Sequence, residues 1–146
     1  MVDALSEVHR LLVAGGVLID IHPLPQPLLY EVYGRGALVF SLPQPGFSGD
    51  AYRHARDALD EAVSHELFAL EATRRFDFII SAASVPELRA YLEEANAFEK
   101  EPEGLVTAEQ KEDVDVRLGE AVRTAGAGAR VATHEVATVS SLRAVS

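Results

Sequence analysis

Leu5, Val8, Leu11 and Leu12 recur at three- and four-residue spacing, which predicts an amphipathic helix over residues 3–13. Asp3 is placed to cap its start, and Ala14-Gly15-Gly16 to end it. The pattern then changes to the nearly continuous apolar run VLIDI, Val17 to Ile21, as expected of a strand covered on both faces. Pro23, Pro25 and Pro27 forbid regular pairing just beyond it. Residues 28–42 read as a β-hairpin turning at Gly34-Arg35-Gly36, with Tyr30, Val32, Leu38 and Phe40 as buried candidates.

A second helix is predicted over residues 50–66, with Tyr52, Ala55, Leu59, Ala62 and Val63 on its apolar stripe. Residues 67–81 hold one or two strands, FDFII being the clearest. Ser84 to Glu87 forms a capping box for a third helix with Leu88, Tyr91, Leu92 and Ala95 inward. Residues 99–104 read as a polar loop. Thr107 to Gln110 is a further capping box, opening a fourth helix with Val114, Leu118, Ala121 and Val122 inward. After the small-residue turn 125–128, residues 130–142 alternate as a last strand. The order α, β, hairpin, α, β, α, α, β is mixed α/β, and 146 residues suit a single domain spanning 1–146.

The chain carries a formal net charge of −10, without a run of lysines or arginines. That disfavours nucleic acid and anionic membranes as partners. With no cysteine, disulfides and thiolate metal sites are excluded. No apolar run reaches the ~20 residues of a membrane span, and the N-terminus lacks signal-peptide order. The expectation is a soluble, cytoplasmic protein.

Asp20 and His22 lie two apart at the end of the first strand, so their side chains share one face. His22 is a candidate general base or substrate-orienting group, against the plain alternative that it opens a proline-rich turn. Tyr30, Tyr33, Phe40, Phe47 and Tyr52 are candidates for an apolar pocket near the hairpin, or for core. His9, His22, His54, His65 and His134 show no zinc-helix spacing, and His65-Glu66 lacks a second histidine. Ser81, Ser84, Ser140 and Ser141 lie in no nucleophile elbow. Arg74-Arg75 reads as a solvated pair, and the acidic stretch from Glu93 to Glu120 as a solvated helix face.

The opening stretch ALSEVHRLLVAGGVLIDIHP resembles the helix, turn and fifth strand of class I S-adenosylmethionine-dependent methyltransferases. Arg10, Leu11, Leu12, Ala14, Gly15 and Gly16 carry the match, with Ala14 where a proline is usual. Residues 74–94 resemble that family's sixth strand and following helix, and residues 129–144 its seventh strand. The resemblance implies a partial Rossmann-like sheet of the fifth, sixth and seventh strands, with an added β-hairpin and about four helices. It also implies that the last strand inserts antiparallel between the other two. The glycine turn and acidic strand end that bind the cofactor have no counterpart here, since Gly34-x-Gly36 and Gly126-x-Gly128 lack the strand-to-helix context.

The chain thus resembles a methyltransferase that begins at its midpoint. It is expected to bind no cofactor alone, and S-adenosylmethionine only if a complementary half exists. Without the first four strands, the edge formed by Val17, Leu18, Ile19 and Ile21 is open, which predicts a homodimer or a complementary methyltransferase half as partner. Leu18→Lys is the expected disruptor. Three readings remain: a dimeric structural or binding protein or subunit, not catalytic alone; a small-molecule methyltransferase whose cofactor half lies on a partner chain or upstream; and a small-ligand-binding module.

Overall fold

A computed structural model describes residues 2–95 and 106–146, with side chains from Ala4 onward. The polar loop expected at 99–104 lies outside the described residues. The elements are α1 (Val2–Leu11), β1 (Val17–Pro23), β2 (Leu29–Gly34), β3 (Ala37–Pro43), α2 (Asp50–Ser64), β4 (Phe68–Ala82), α3 (Val85–Ala95), α4 (Ala108–Ala125) and β5 (Arg130–Ala144). This is α/β, with four helices and a five-stranded antiparallel sheet. The antiparallel order departs from the parallel sheet of a Rossmann fold, because β5 returns antiparallel to β1 and the β2–β3 hairpin adds to β5 in the same sense. The chain divides into two compact units, and β4 and β5 each run from one into the other.

Unit 1 comprises Met1–Gln26, Gly49–Asp77 and Val136–Ser146. Here β5 is flanked on both edges. It pairs antiparallel with β1, Val17 opposite Arg143 through Pro23 opposite Ala137. Its other edge meets β4, and Val145 N–H donates to the Leu67 carbonyl. The core gathers Ala62, Phe68, Leu142 and Ala144, with Leu5, Val8, Leu12, Leu18, Leu59 and Val63 packed around them. Leu5, Val8 and Leu12 are the inward stripe of the first helix. Leu11 is 68% exposed, one helical step off that stripe. The helix already includes Asp3, which sits in its first turn. Gly16 is required where the helix turns into β1: a Cβ there would lie 2.9 Å from the Val13 carbonyl oxygen.

Unit 2 comprises Pro27–Ser48 and Phe78–Glu135. Tyr30, Val32, Ala82, Leu88, Val114, Leu118 and Val131 form its core, with Phe40, Leu92, Ala121 and Val122 against them. Both oxygen–nitrogen contacts of the Thr107 capping box are present, 3.1 Å from Gln110 N to Thr107 Oγ1 and 2.9 Å from Thr107 N to Gln110 Oε1. Ser84 likewise accepts from Glu87 N at 3.3 Å, but the Glu87 carboxylate takes the N–H of Ala83 instead of closing the box. Arg89 ties α3 to its neighbours: it donates to Asp115 of α4 at 2.7 Å and stacks 5.0 Å from the Tyr30 ring centroid.

Two further core expectations change. Leu38 is 50% exposed, because a bulge between Val32 and Tyr33 shifts the hairpin register. Val32 pairs with Phe40 but Tyr33 with Leu38, which turns Leu38 to the opposite face. Tyr91 and Ala95 are exposed, so α3 buries only Leu88 fully, with Leu92 partly covered. The aromatic strand FDFII is present as the second half of β4, yet Phe76, Phe78 and Ile79 stay 37–49% exposed. Leu118 is fully buried, so Leu118→Ala is expected to cost ~2–5 kcal/mol through lost transfer energy and the cavity left behind. A urea melt read by circular dichroism measures this, and a loss under ~1 kcal/mol would mean that the site collapses around the smaller residue.

Candidate functional site

Strand periodicity puts Leu18, Asp20 and His22 on the inner face of β1, toward the helices of unit 1, and Val17, Ile19 and Ile21 on the outer face. The two chemistry-bearing residues singled out from sequence do meet. His22 Nδ1 lies 2.5 Å from Asp20 Oδ2, with the imidazole 12% and the carboxyl group 23% exposed. A carboxylate only accepts, so Nδ1 carries the proton and, in the neutral ring, Nε2 is the acceptor left to meet a ligand.

The register supplies the rest of the site. Asp20 stands opposite Ser140, and His22 opposite Thr138. Ser140 Oγ is 3.1 Å from Thr73 Oγ1 of β4, and Thr138 Oγ1 donates to the His22 carbonyl at 3.5 Å. His22, Thr73, Thr138 and Ser140 line a cavity of about 250 Å³ whose apolar wall is Leu24, Leu59, Val63, Leu70 and Leu142. Arg56 and Asp60, one helical turn apart on α2, form an ion pair of 3.9 Å at this cavity. The Ser140 hydroxyl bonds to Thr73 and not to the imidazole, so the pair is not arranged as a serine nucleophile with its base. An apolar wall with few convergent polar groups is what small-molecule sites use.

Within unit 2, Tyr30 and Phe40 lie on one face of the hairpin and Tyr33 on the other. Tyr30 and Phe40 belong to the core of unit 2, Phe47 follows the hairpin in the same unit, and Tyr52 belongs to unit 1. Phe40 does border a hollow of about 400 Å³ with Val39, Arg117, Glu120 and Thr124, where Arg117 lies 5.8 Å from the Phe40 centroid. It has no convergent set of polar groups like that of unit 1. Leu18 packs into the unit 1 core, so Leu18→Lys reports on folding and not on an open edge. Arg74 and Arg75 are exposed. Among the described residues, no three metal-ligating side chains converge and no helix is long and apolar enough to cross a membrane.

Sequence reading missed a second carboxylate–imidazole contact, in unit 2. Glu31 is 3% exposed, accepts from Tyr33 Oη at 2.6 Å, and lies 3.2 Å from His134 Nδ1. A carboxylate so deeply buried is tolerable only with such donors. The hydrogen bond to Glu31, then burial and the glutamate charge, push the Tyr33 phenol up to about 12 from its usual 10. The folded chain therefore keeps a proton that the unfolded chain loses between these values. The stabilisation is full below pH 10 and is lost as pH rises through about 12. Tyr33→Phe is expected to remove this alkaline step from a stability–pH profile and to cost ~1–3 kcal/mol at neutral pH by leaving Glu31 Oε2 without its donor. An unchanged alkaline profile in that variant would reject the pairing. No protein-family model, curated protein or solved structure matches the chain.

Proposed function

We propose that the protein binds a small molecule in the unit 1 cavity and has no catalytic centre of its own. The single observation behind this reading is that Asp20 fixes His22 with one hydrogen-bond acceptor to spare beside an apolar space of about 250 Å³. A cavity of ~150 Å³ already admits benzene, so this one has room for a substituted ring. The ligand has a compact apolar body, for the leucine and valine wall, and one hydroxyl or N–H donor for His22 Nε2. The Thr73, Thr138 and Ser140 hydroxyls are adaptable, each donating or accepting.

The probe pair is p-cresol against toluene, which share a shape but not a donor. Calorimetry is expected to show p-cresol binding more tightly, and His22→Phe to erase that preference, a loss of about tenfold for ~1.4 kcal/mol. Equal binding of both probes to the unaltered protein, or of neither, would defeat the reading.

A second reading has its own support. β5 lies antiparallel to β1 and also pairs with β4, the placement that the methyltransferase resemblance requires of its seventh, fifth and sixth strands. On that reading the chain is a tail half that needs a complementary half before S-adenosylmethionine binds. Titration of the chain alone is then expected to give no heat and no melting shift. A site filled at a hundred times its dissociation constant would stabilise by ~2.7 kcal/mol, and a shift of that size would show that this chain holds a cofactor site unaided.

A further inference from the structure

Among the described residues no further strand pairs with either edge of the unit 1 sheet, and the two edges differ. On β4, Glu71 donates nothing but accepts from Ser141 and Arg143, while Thr73 meets Ser140. Neighbouring residues of β5 point to opposite faces, so Glu71 and Thr73 do as well. A strand whose residues two apart face opposite ways is bulged between them. With Glu71, Arg74, Arg75 and Asp77 in sequence, that edge has the charges and irregularity that discourage further pairing.

The β1 edge is regular, with its one acidic residue, Asp20, on the inner face and Pro23 at its end. Ala144 N–H donates to the Gly16 carbonyl, and Leu24 N–H to the Val136 carbonyl. With the register of β1 on β5, these bonds assign the backbone groups of the even-numbered residues 16–24 to β5. The N–H groups of Val17, Ile19 and Ile21 therefore face the free edge. Pro23 takes the next outward position, where a missing N–H is tolerated. The side chains of these same three residues are 42%, 55% and 64% exposed on the outer face.

We propose that a second copy of this chain pairs antiparallel along β1, with the two-fold axis passing through Ile19. Three neighbouring two-fold registers decide the geometry. Centred on Asp20, the strand would set two carboxylates directly opposite, which is destabilising. Centred on Ile21, it would set Ile19 against Pro23 and lose a hydrogen bond on each side. Centred on Ile19, it sets Val17 against Ile21 and Ile19 against itself. Every outward N–H then finds a carbonyl, and all six exposed apolar side chains become cross-strand neighbours. No carboxylate opposes another, which matters for two chains of formal charge −10. The shared axis makes the interface isologous and closed, so pairing stops at two.

The chain has no cysteine, which gives a clean test. In the proposed register the two Ile19 Cα atoms lie ~5.5 Å apart, within the span of a disulfide. The Ile19→Cys protein is expected to form a covalent dimer under copper–phenanthroline, and the Ile21→Cys protein, whose two copies lie far apart, to remain single-chained. By sedimentation equilibrium the unaltered protein is expected at twice 15.8 kDa and Ile19→Pro at 15.8 kDa with its circular dichroism unchanged, since only the outward N–H is removed. Ile19→Lys gives the same reading should the proline disturb the strand. A monomeric unaltered protein, a natively folded Ile19→Lys dimer, or equal cross-linking through position 21 would each overturn the proposal.

Discussion

The structure depends on the backbone of β5. This fifteen-residue strand pairs with β1, β2 and β4, and among the described strands β3 alone does not pair with it. Unpaired N–H and C=O groups inside a sheet are costly, so each of those strands owes its place to one segment near the end of the chain. It contributes to both cores: Val131 enters the core of unit 2, and Leu142 and Ala144 that of unit 1. Its contacts with β1 reach across more than a hundred residues, so closing the fold has a large loop-entropy cost that local helix formation does not offset.

That dependence explains which parts of the site sequence could reveal. Asp20 and His22 are separated by one residue, and the two-residue period of a strand suffices to bring them together. Thr138 and Ser140 sit on the same face by the same rule, yet nothing local says that they lie opposite His22 and Asp20. Only the antiparallel register between β1 and β5 does so. Thr73 required a second such register. The Glu31 cluster was hidden for a related reason: Tyr33 shows the same two-residue spacing, but burial of the carboxylate and the approach of His134 arise from tertiary pairing.

Element order was legible because hydrophobic period, capping boxes and glycine turns are local signals that agree with one another. The errors fall where a local pattern was asked to define a face. Leu38 carries an apolar side chain in phase with Phe40, and a single bulged residue reverses it. Leu11 adjoins a true stripe residue and faces solvent. Gly16 illustrates the opposite case, since the close Val13 carbonyl leaves glycine as the residue that fits and the sequence states this outright.

Both carboxylate–imidazole contacts use Nδ1, but their surroundings assign them different work. Around Glu31 both carboxylate oxygens are engaged, by Tyr33 and His134, and the group acts as an internal tie in a nearly dry position. Asp20 instead engages His22 at the margin of a cavity, where the walls are apolar and the hydroxyls of Ser140 and Thr73 share one hydrogen bond. A polar group whose partners are complete gains nothing from a ligand, whereas an imidazole with one nitrogen held and the other beside an apolar space can exchange water for a better-placed donor. The β1 strand therefore divides by parity, with Leu18 in the core and Asp20 and His22 at the cavity, while Val17, Ile19 and Ile21 turn their backbone N–H groups away from β5 and expose their side chains.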